Sequence, residues 1–203
     1  MKAKIILNGE PFLDKIDQEN CIIIACDKGY EYCKEKQIKP TYVLGDFDSL
    51  GYEPSGAIKY PVDKDFTDGE GALNLLKETG LDVEVIEFYN FGGGREDHFL
   101  GNLSLLVKAK QLGFFAVAKT NYTDIYYAKN SFSLKNVKNK TISLVPYLGE
   151  VNINKGEGFK FNPTLKTLSP QNTLGISNVA IEDNILLEFD GEGLFVFVVK
   201  GEI

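Results

Sequence analysis

The stretch Cys21-Ile22-Ile23-Ile24-Ala25-Cys26-Asp27-Lys28-Gly29 decides the fold. Its apolar, isoleucine-rich run reads as a strand over residues 21–25, an aspartate ends it, and residues 29–37 then carry a short helical pattern. The same succession recurs on either side. Residues 4–8 read as a preceding strand, and residues 41–44 and 57–60 as extended segments. Beyond them the pattern predicts a helix from about 68 to 78, a strand over 83–89, a long helix over 96–111 and a strand over 114–118. Strands alternating with helices imply βαβ units, and hence a parallel sheet with helices on its faces. From about residue 131 helical periodicity disappears. Short apolar runs over 141–145, 185–189 and 194–199 are separated there by Gly, Asn and Pro, the pattern of an antiparallel sandwich or barrel. The expected architecture is α/β plus all-β: an N-terminal parallel-sheet α/β domain over 1–129, then a C-terminal antiparallel β domain over 130–203.

Composition supports a folded chain and narrows its chemistry. Of 203 residues, 43% are hydrophobic and 25% charged, ordinary values for a globular protein with room for a core. The longest apolar runs, 21–26 and 194–199, fall far short of the roughly 18 residues that span a bilayer. The N-terminal apolar stretch is too short for a signal-peptide core and no small-residue cleavage site follows it, so a cytoplasmic protein without a membrane partner is expected. Three cysteines (Cys21, Cys26, Cys33) without CxxC spacing, beside a single histidine, argue against a disulfide scaffold or a zinc site, and Cys21 and Cys26, within an apolar run, read as buried small hydrophobes. A net charge of -7 repels a nucleic-acid backbone. An acidic chain that binds polyphosphate needs a bridging cation, which directs attention to its carboxylates.

Those carboxylates gather where strand-like runs end. Asp27 follows the run 21–26, Asp46 and Asp48 follow 41–44, Asp63, Asp65 and Asp68 follow 57–60, and Asp97 follows 83–89. In open α/β sheets, ligands bind outside the carboxyl ends of the strands. Taken singly, each aspartate is also a common turn former or helix cap. Asp46 and Asp48, in Gly45-Asp46-Phe47-Asp48-Ser49, are two apart, so an extended segment projects both to one side, where two hard oxygens suit Mg²⁺. Glycosyltransferases, phosphohydrolases and plain turns carry the same pair. Thr67 with Glu70 forms a capping box, which explains those two without any function. Around the same helix start, where backbone N–H groups favour phosphate, Lys64 is placed to contact a phosphate oxygen, Asp68 to ligate a metal, and Asp65 stands beside them.

Gly92-Gly93-Gly94-Arg95 lies between a strand and a helix, where flexible backbone can approach a phosphate. The spacing is not GxGxxG and no Gly-Lys dipeptide occurs, so the dinucleotide fingerprint and the Walker A loop are both excluded. On the helix that follows, Arg95, His98 and Asn102 form one polar stripe, and His98 reads either as a wall of the site or as a structural histidine.

Gly45-Asp46-Phe47-Asp48-Ser49, Lys64-Asp65-Phe66-Thr67-Asp68-Gly69-Glu70-Gly71-Ala72-Leu73, Gly93-Gly94-Arg95-Glu96-Asp97-His98 and Gly175-Ile176-Ser177-Asn178, in that order, resemble the thiamine pyrophosphokinase family across essentially the whole chain. The resemblance implies an ATP-binding α/β domain, a C-terminal β-sandwich for thiamine binding and dimerisation, and a homodimer with active sites between protomers. It also implies Mg²⁺-dependent transfer of pyrophosphate from ATP to the hydroxyl of thiamine, giving thiamine diphosphate and AMP. By position, Asp46, Asp48 and Asp68 match the family's metal-binding and catalytic aspartates. Asp27, Lys64, Asp65, Arg95, Asp97, His98 and Asn102 fall to ATP, while Ser177 and Asn178 fall to thiamine from the partner subunit. Asp68 is the candidate base for the hydroxyl proton. The family's first motif is often Asp-Gly-Gly but here is Asp27-Lys28-Gly29; the stretch ahead of Ser169 diverges, and the chain has no tryptophan.

Three other readings compete. One is pyrophosphoryl transfer to another alcohol such as a hydroxymethyl-pterin, against which the Gly175–Asn178 segment and the full-length β half argue. Another is a non-catalytic nucleotide or metal sensor. An Asp-dependent phosphohydrolase would need a nucleophilic aspartate after the first strand, where Asn8 stands.

Overall fold

The isoleucine run forms the expected strand, and its neighbours follow. In the computed structural model, which describes residues 1–201, the chain divides into compact units at Asn121/Tyr122. The first contains β1 (Lys2–Ile6), β2 (Cys21–Cys26), α1 (Gly29–Glu35), β3 (Tyr42–Gly45), β4 (Ile58–Lys59), α2 (Asp68–Thr79), β5 (Val85–Tyr89), α3 (Glu96–Gln111) and β6 (Phe115–Lys119). Its strands run in the order β6-β5-β1-β2-β3-β4, and every pairing is parallel. β1 and β2 are buried on both faces, which is why their residues are apolar without alternation. Ile6, Ile23 and Ala25 pack on one face with Phe12, Ile16, Tyr32 and Cys33. Lys2, at the start of β1, is exposed, and Lys4 is the buried polar exception. It is 3% exposed, and its ammonium reaches the Asp17 carbonyl and stands 3.8 Å from the Glu87 carboxylate, so the buried charge is partnered.

Chain order reverses at β1, which has β2 on one side and β5 on the other. An α/β sheet normally opens a crevice at such a point. Here main-chain bonds continue past the strands, from Leu7 N to Tyr89 O, Gly9 N to Asn90 O and Glu10 N to Gly92 O, at 3.0, 2.9 and 2.6 Å. They stitch the reversal shut, and the ends of β2 and β3 remain to carry a site. Thr67 caps α2 by accepting the Glu70 N–H at 3.3 Å, half of the expected capping box. The reciprocal half is not made, because the Glu70 carboxylate pairs with Lys108 of α3 at 3.0 Å.

The second unit contains β7 (Thr123–Ala128), β8 (Ser131–Lys135), β9 (Thr141–Pro146), β10 (Val151–Glu157), β11 (Thr167–Leu168), β12 (Asn178–Val179), β13 (Asn184–Gly191) and β14 (Leu194–Val199). It forms two antiparallel sets, β12-β9-β14-β7 and β11-β10-β13-β8. The change of pattern at Lys129 and Asn130 coincides with the turn from β7 into β8, one strand inside this unit. β7 belongs here because it pairs along its length with β14, from Thr123 opposite Val199 to Ala128 opposite Leu194.

The cysteines are free; Cys26 is buried as expected, Cys21 at the start of β2 is only half-buried, and Cys33 of α1 is buried as well, and burial pushes the Cys26 thiol well up and the Cys33 thiol up to about 12. Among the described residues no helix is long and apolar enough to cross a membrane.

α1 starts hard against the end of β1. A Cβ on Gly29 would stand 2.4 Å from the Ile6 carbonyl oxygen and 2.8 Å from that of Leu7, and main chain cannot give way as a side chain can. Gly29→Ala should therefore lower the unfolding free energy by about 1–3 kcal/mol in urea melts. An unchanged midpoint would show that α1 does not seat this closely.

Candidate active site

Asp27 is the first residue after β2, in the left-handed region at φ 46°. Main chain holds it there: its N–H donates to the Leu44 carbonyl at 2.8 Å, and its carbonyl accepts the Tyr30 N–H at 3.0 Å. The residue is 6% exposed, and its Oδ1 is buried without a hydrogen-bond partner. Burial raises its carboxyl above the usual range. Gly45, at the end of β3, allows the two strand ends to meet, since a Cβ there would lie 3.2 Å from Asp27 main-chain atoms and its φ of 152° disfavours other residues.

Asp46 and Asp48 come together as expected, but not because the segment is extended. Phe47, between them, sits at φ 62° with its ring buried, and the Asp48 N–H turns back onto Asp46 Oδ1 at 3.3 Å. The local turn aims both carboxylates at Asp27. Ligand oxygens of Asp27, Asp46 and Asp48 all lie within 4.8 Å of one another. These three carboxylates offer hard oxygens, and with Asp27 Oδ1 buried and unpartnered they fit a hard divalent cation.

Asp68, at the first position of α2, meets this group through Lys64. The Lys64 ammonium donates to Asp46 Oδ2 at 2.9 Å and stands 3.2 Å from Asp68 Oδ1. The second contact is an ion pair without hydrogen-bond alignment, so Asp68 Oδ1 counts as buried and unbonded. Burial raises the Asp68 carboxyl, with Lys64 opposing it, whereas the hydrogen bond from Lys64 lowers that of Asp46. The structure thus groups Asp27 with Asp46 and Asp48, and joins Asp68 to them by way of an ammonium. Sequence reasoning placed Asp27 at a strand end but assigned it to nucleotide alone. The signal that finds it is the β2–β3 register, Cys26 opposite Leu44, which brings the residues after both strands side by side.

The remaining residues of this unit are less committed. Asp65 is exposed in the loop before α2, and His98 is exposed on α3. Arg95 precedes α3 and forks onto Asp97, Nε to Oδ1 at 3.1 Å and an Nη to Oδ2 at 2.5 Å, which holds the Asp97 carboxyl at about 2. Asn102 donates to the Phe91 carbonyl at 2.7 Å and so braces the glycine-rich loop.

In the second unit Ser177 is exposed at φ 57°, its N–H donating to Ser143 Oγ at 3.0 Å. Asn178 is buried. Its Oδ1 accepts the Phe161 and Val179 N–H groups at 3.0 and 2.8 Å, and its Nδ2 donates to the Phe161 carbonyl at 2.7 Å, leaving one amide hydrogen uncommitted. Beside this segment a cavity of about 110 Å³ is lined by Leu144, Pro146, Leu168, Pro170, Thr173 and Ile176.

Comparison with known proteins supplies the context for this geometry. A family model described as "Thiamin pyrophosphokinase, catalytic domain" matches residues 13–117. Thiamine pyrophosphokinase of Bacillus subtilis (strain 168) is 28% identical over 199 residues, spanning 93% of this chain and 91% of that protein. A crystal structure of thiamine pyrophosphokinase from Bacillus subtilis superposes with a TM-score of 0.84 at 25% identity, covering 100% of both chains. Thiamin pyrophosphokinase from Candida albicans, at 16% identity, shares the fold with a TM-score of 0.82 over 98% of this chain and 89% of that one. The ordered motifs, the acidic strand ends and a family match spanning more than half the chain agree: this chain belongs to the thiamine pyrophosphokinase family.

Proposed function

We propose that the protein is a cytoplasmic, Mg²⁺-dependent enzyme that transfers the β,γ-pyrophosphoryl group of ATP to the hydroxyl of thiamine, releasing AMP. We assign ATP and metal to residues 1–129, and thiamine and subunit contact to a β-sandwich over 130–203, in a homodimer with active sites shared between protomers. The observation that carries this reading is the meeting of Asp27, Asp46 and Asp48, with the Oδ1 of Asp27 buried and unpartnered.

In this reaction the thiamine oxygen attacks Pβ, the bond from Pβ to the oxygen bridging to Pα breaks, and AMP leaves with that electron pair. Mg²⁺, held by Asp46 and Asp48 with Asp27 and Asp68 close by, supplies charge compensation for the phosphate oxygens when bound. Lys64 and Arg95 add positive charge, Arg95 by exchanging its exposed Asp97 partner for phosphate. We assign the hydroxyl proton to Asp68, since burial raises its carboxyl and so makes its carboxylate a stronger base, with Lys64 opposing that shift. Asp65 and His98 flank the nucleotide, and Asn102 steadies the glycine-rich loop beside it. Ser177 and the free amide hydrogen of Asn178 supply polar contacts to thiamine.

With ATP, Mg²⁺ and thiamine the protein should yield thiamine diphosphate and AMP in equal amounts; ADP as product, or conversion of a hydroxymethyl-pterin in place of thiamine, overturns the assignment. Asp27→Asn and Asp48→Asn should each lower turnover at least about a hundredfold, since charge compensation by the metal contributes several kcal/mol. The melting temperature of Asp27→Asn should hold or rise, because the change removes a buried charge that lies beside two other carboxylates. Full activity in either folded variant removes that residue from the site. Mixing an inactive Asp48→Asn chain with a chain inactivated at Ser177 and Asn178 should restore about a quarter of wild-type activity, since random exchange gives half mixed dimers with one intact site each. No recovery despite subunit exchange rejects the shared site.

A further inference from the structure

Lys64 is a cation already inside the acidic cluster. Its side chain is 8% exposed, and its ammonium stands 2.9 Å from Asp46 Oδ2 and 3.2 Å from Asp68 Oδ1. Asp46 is at the same time a member of the group that offers ligand oxygens within 4.8 Å of one another. One carboxylate therefore lies within reach of two cations. Its Oδ1 accepts the Asp48 N–H and its Oδ2 accepts from Lys64, so a dication bound through either oxygen stands within a carboxylate's width of the ammonium. Like charges that close repel strongly in a partly buried site.

We propose that Lys64 is the internal counter-ion of the cation site: its single charge is shared between Asp46 and Asp68 while no metal is bound, and it gives up Asp46 when a divalent cation arrives. Ammonium and metal compete for the same carboxylate. The proposal rests on the reading of Asp27, Asp46 and Asp48 as a cation site. It gives Lys64 two successive partners, since the ammonium released from Asp46, in the loop that leads into α2, becomes a positive charge available to an incoming phosphate. The opposite role is a positioning one, in which Lys64 holds Asp46 in the geometry the metal needs. The two roles differ in sign. Removing a positioning group weakens metal binding, whereas removing a competitor tightens it.

Mn²⁺ binding to the nucleotide-free protein, followed by electron paramagnetic resonance, separates them. Lys64→Met keeps most of the aliphatic stem and removes the charge, and it should bind Mn²⁺ about tenfold more tightly than wild type, a coupling of ordinary size between two sites. Equal or weaker binding, or binding in neither protein, overturns the proposal. A second measurement needs no variant. Acetylation of the wild-type protein by acetic anhydride, mapped by peptide mass spectrometry, should modify Lys64 several-fold faster when Mg²⁺ is saturating, because the ammonium has lost a partner. Unchanged or slower modification also overturns it. Competition in these experiments without AMP formation from ATP and thiamine would leave the counter-ion in place and remove the reaction; AMP formation without competition would do the reverse.

Discussion

Carboxylates repel one another, and this fold holds Asp27, Asp46 and Asp48 within 4.8 Å against that repulsion, with Asp68 one ammonium away. Main chain does the holding. Asp27 is fixed by bonds from its own N–H and carbonyl, Gly45 lets β3 end against it, and the buried ring of Phe47 anchors the turn that aims its two neighbours. None of these contacts involves a carboxylate oxygen of Asp27, so the placement of that residue does not depend on what its carboxylate binds. The cost of gathering charge is offset elsewhere, by a sheet whose central strands bury Ile5, Ile6, Ile24 and Ala25 completely. Preorganisation of this kind lets binding energy act on the substrate rather than on the protein.

Much of this was legible before the fold was known. A parallel strand buried on both faces prints as an unbroken apolar run, so β2 was readable almost to the residue, and the acids at the strand ends followed from it. The pairing of Asp46 with Asp48 was also readable, though its cause was misjudged: a left-handed residue, not an extended segment, turns them the same way. Asp27 and Lys64 lay further out of reach. Their partners stand 19 and 18 positions away in Asp46, and only strand register and a loop path bring them together. Local sequence carries no record of either.

The second unit divides the same way. β9, β13 and β14 show as apolar runs, whereas β10 hides because Asn152 separates its buried Val151 and Ile153, Asn154 and Lys155 follow them, and a register shift interrupts it. β11 and β12 are two residues each, too short to have a period. Asn178 drew attention as a ligand contact, yet most of its hydrogen-bonding capacity holds the Phe161 main chain. A polar residue in a motif can serve the binding surface by shaping the loop beneath it.

The position of β1 has a consequence for how the protein is made. β1 lies mid-sheet, paired on one side with β2, which begins at Cys21, and on the other with β5, where Lys2 faces Val85. As the chain leaves the ribosome, β1 acquires its first neighbour early and waits for some sixty further residues before the second emerges. During that interval one edge of β1, a strand that ends up in the middle of the sheet, is unpaired, a state prone to association with other nascent chains. The completed sheet buries the seam. Synthesis rate between β2 and β5 thus governs how long the aggregation-prone edge is open.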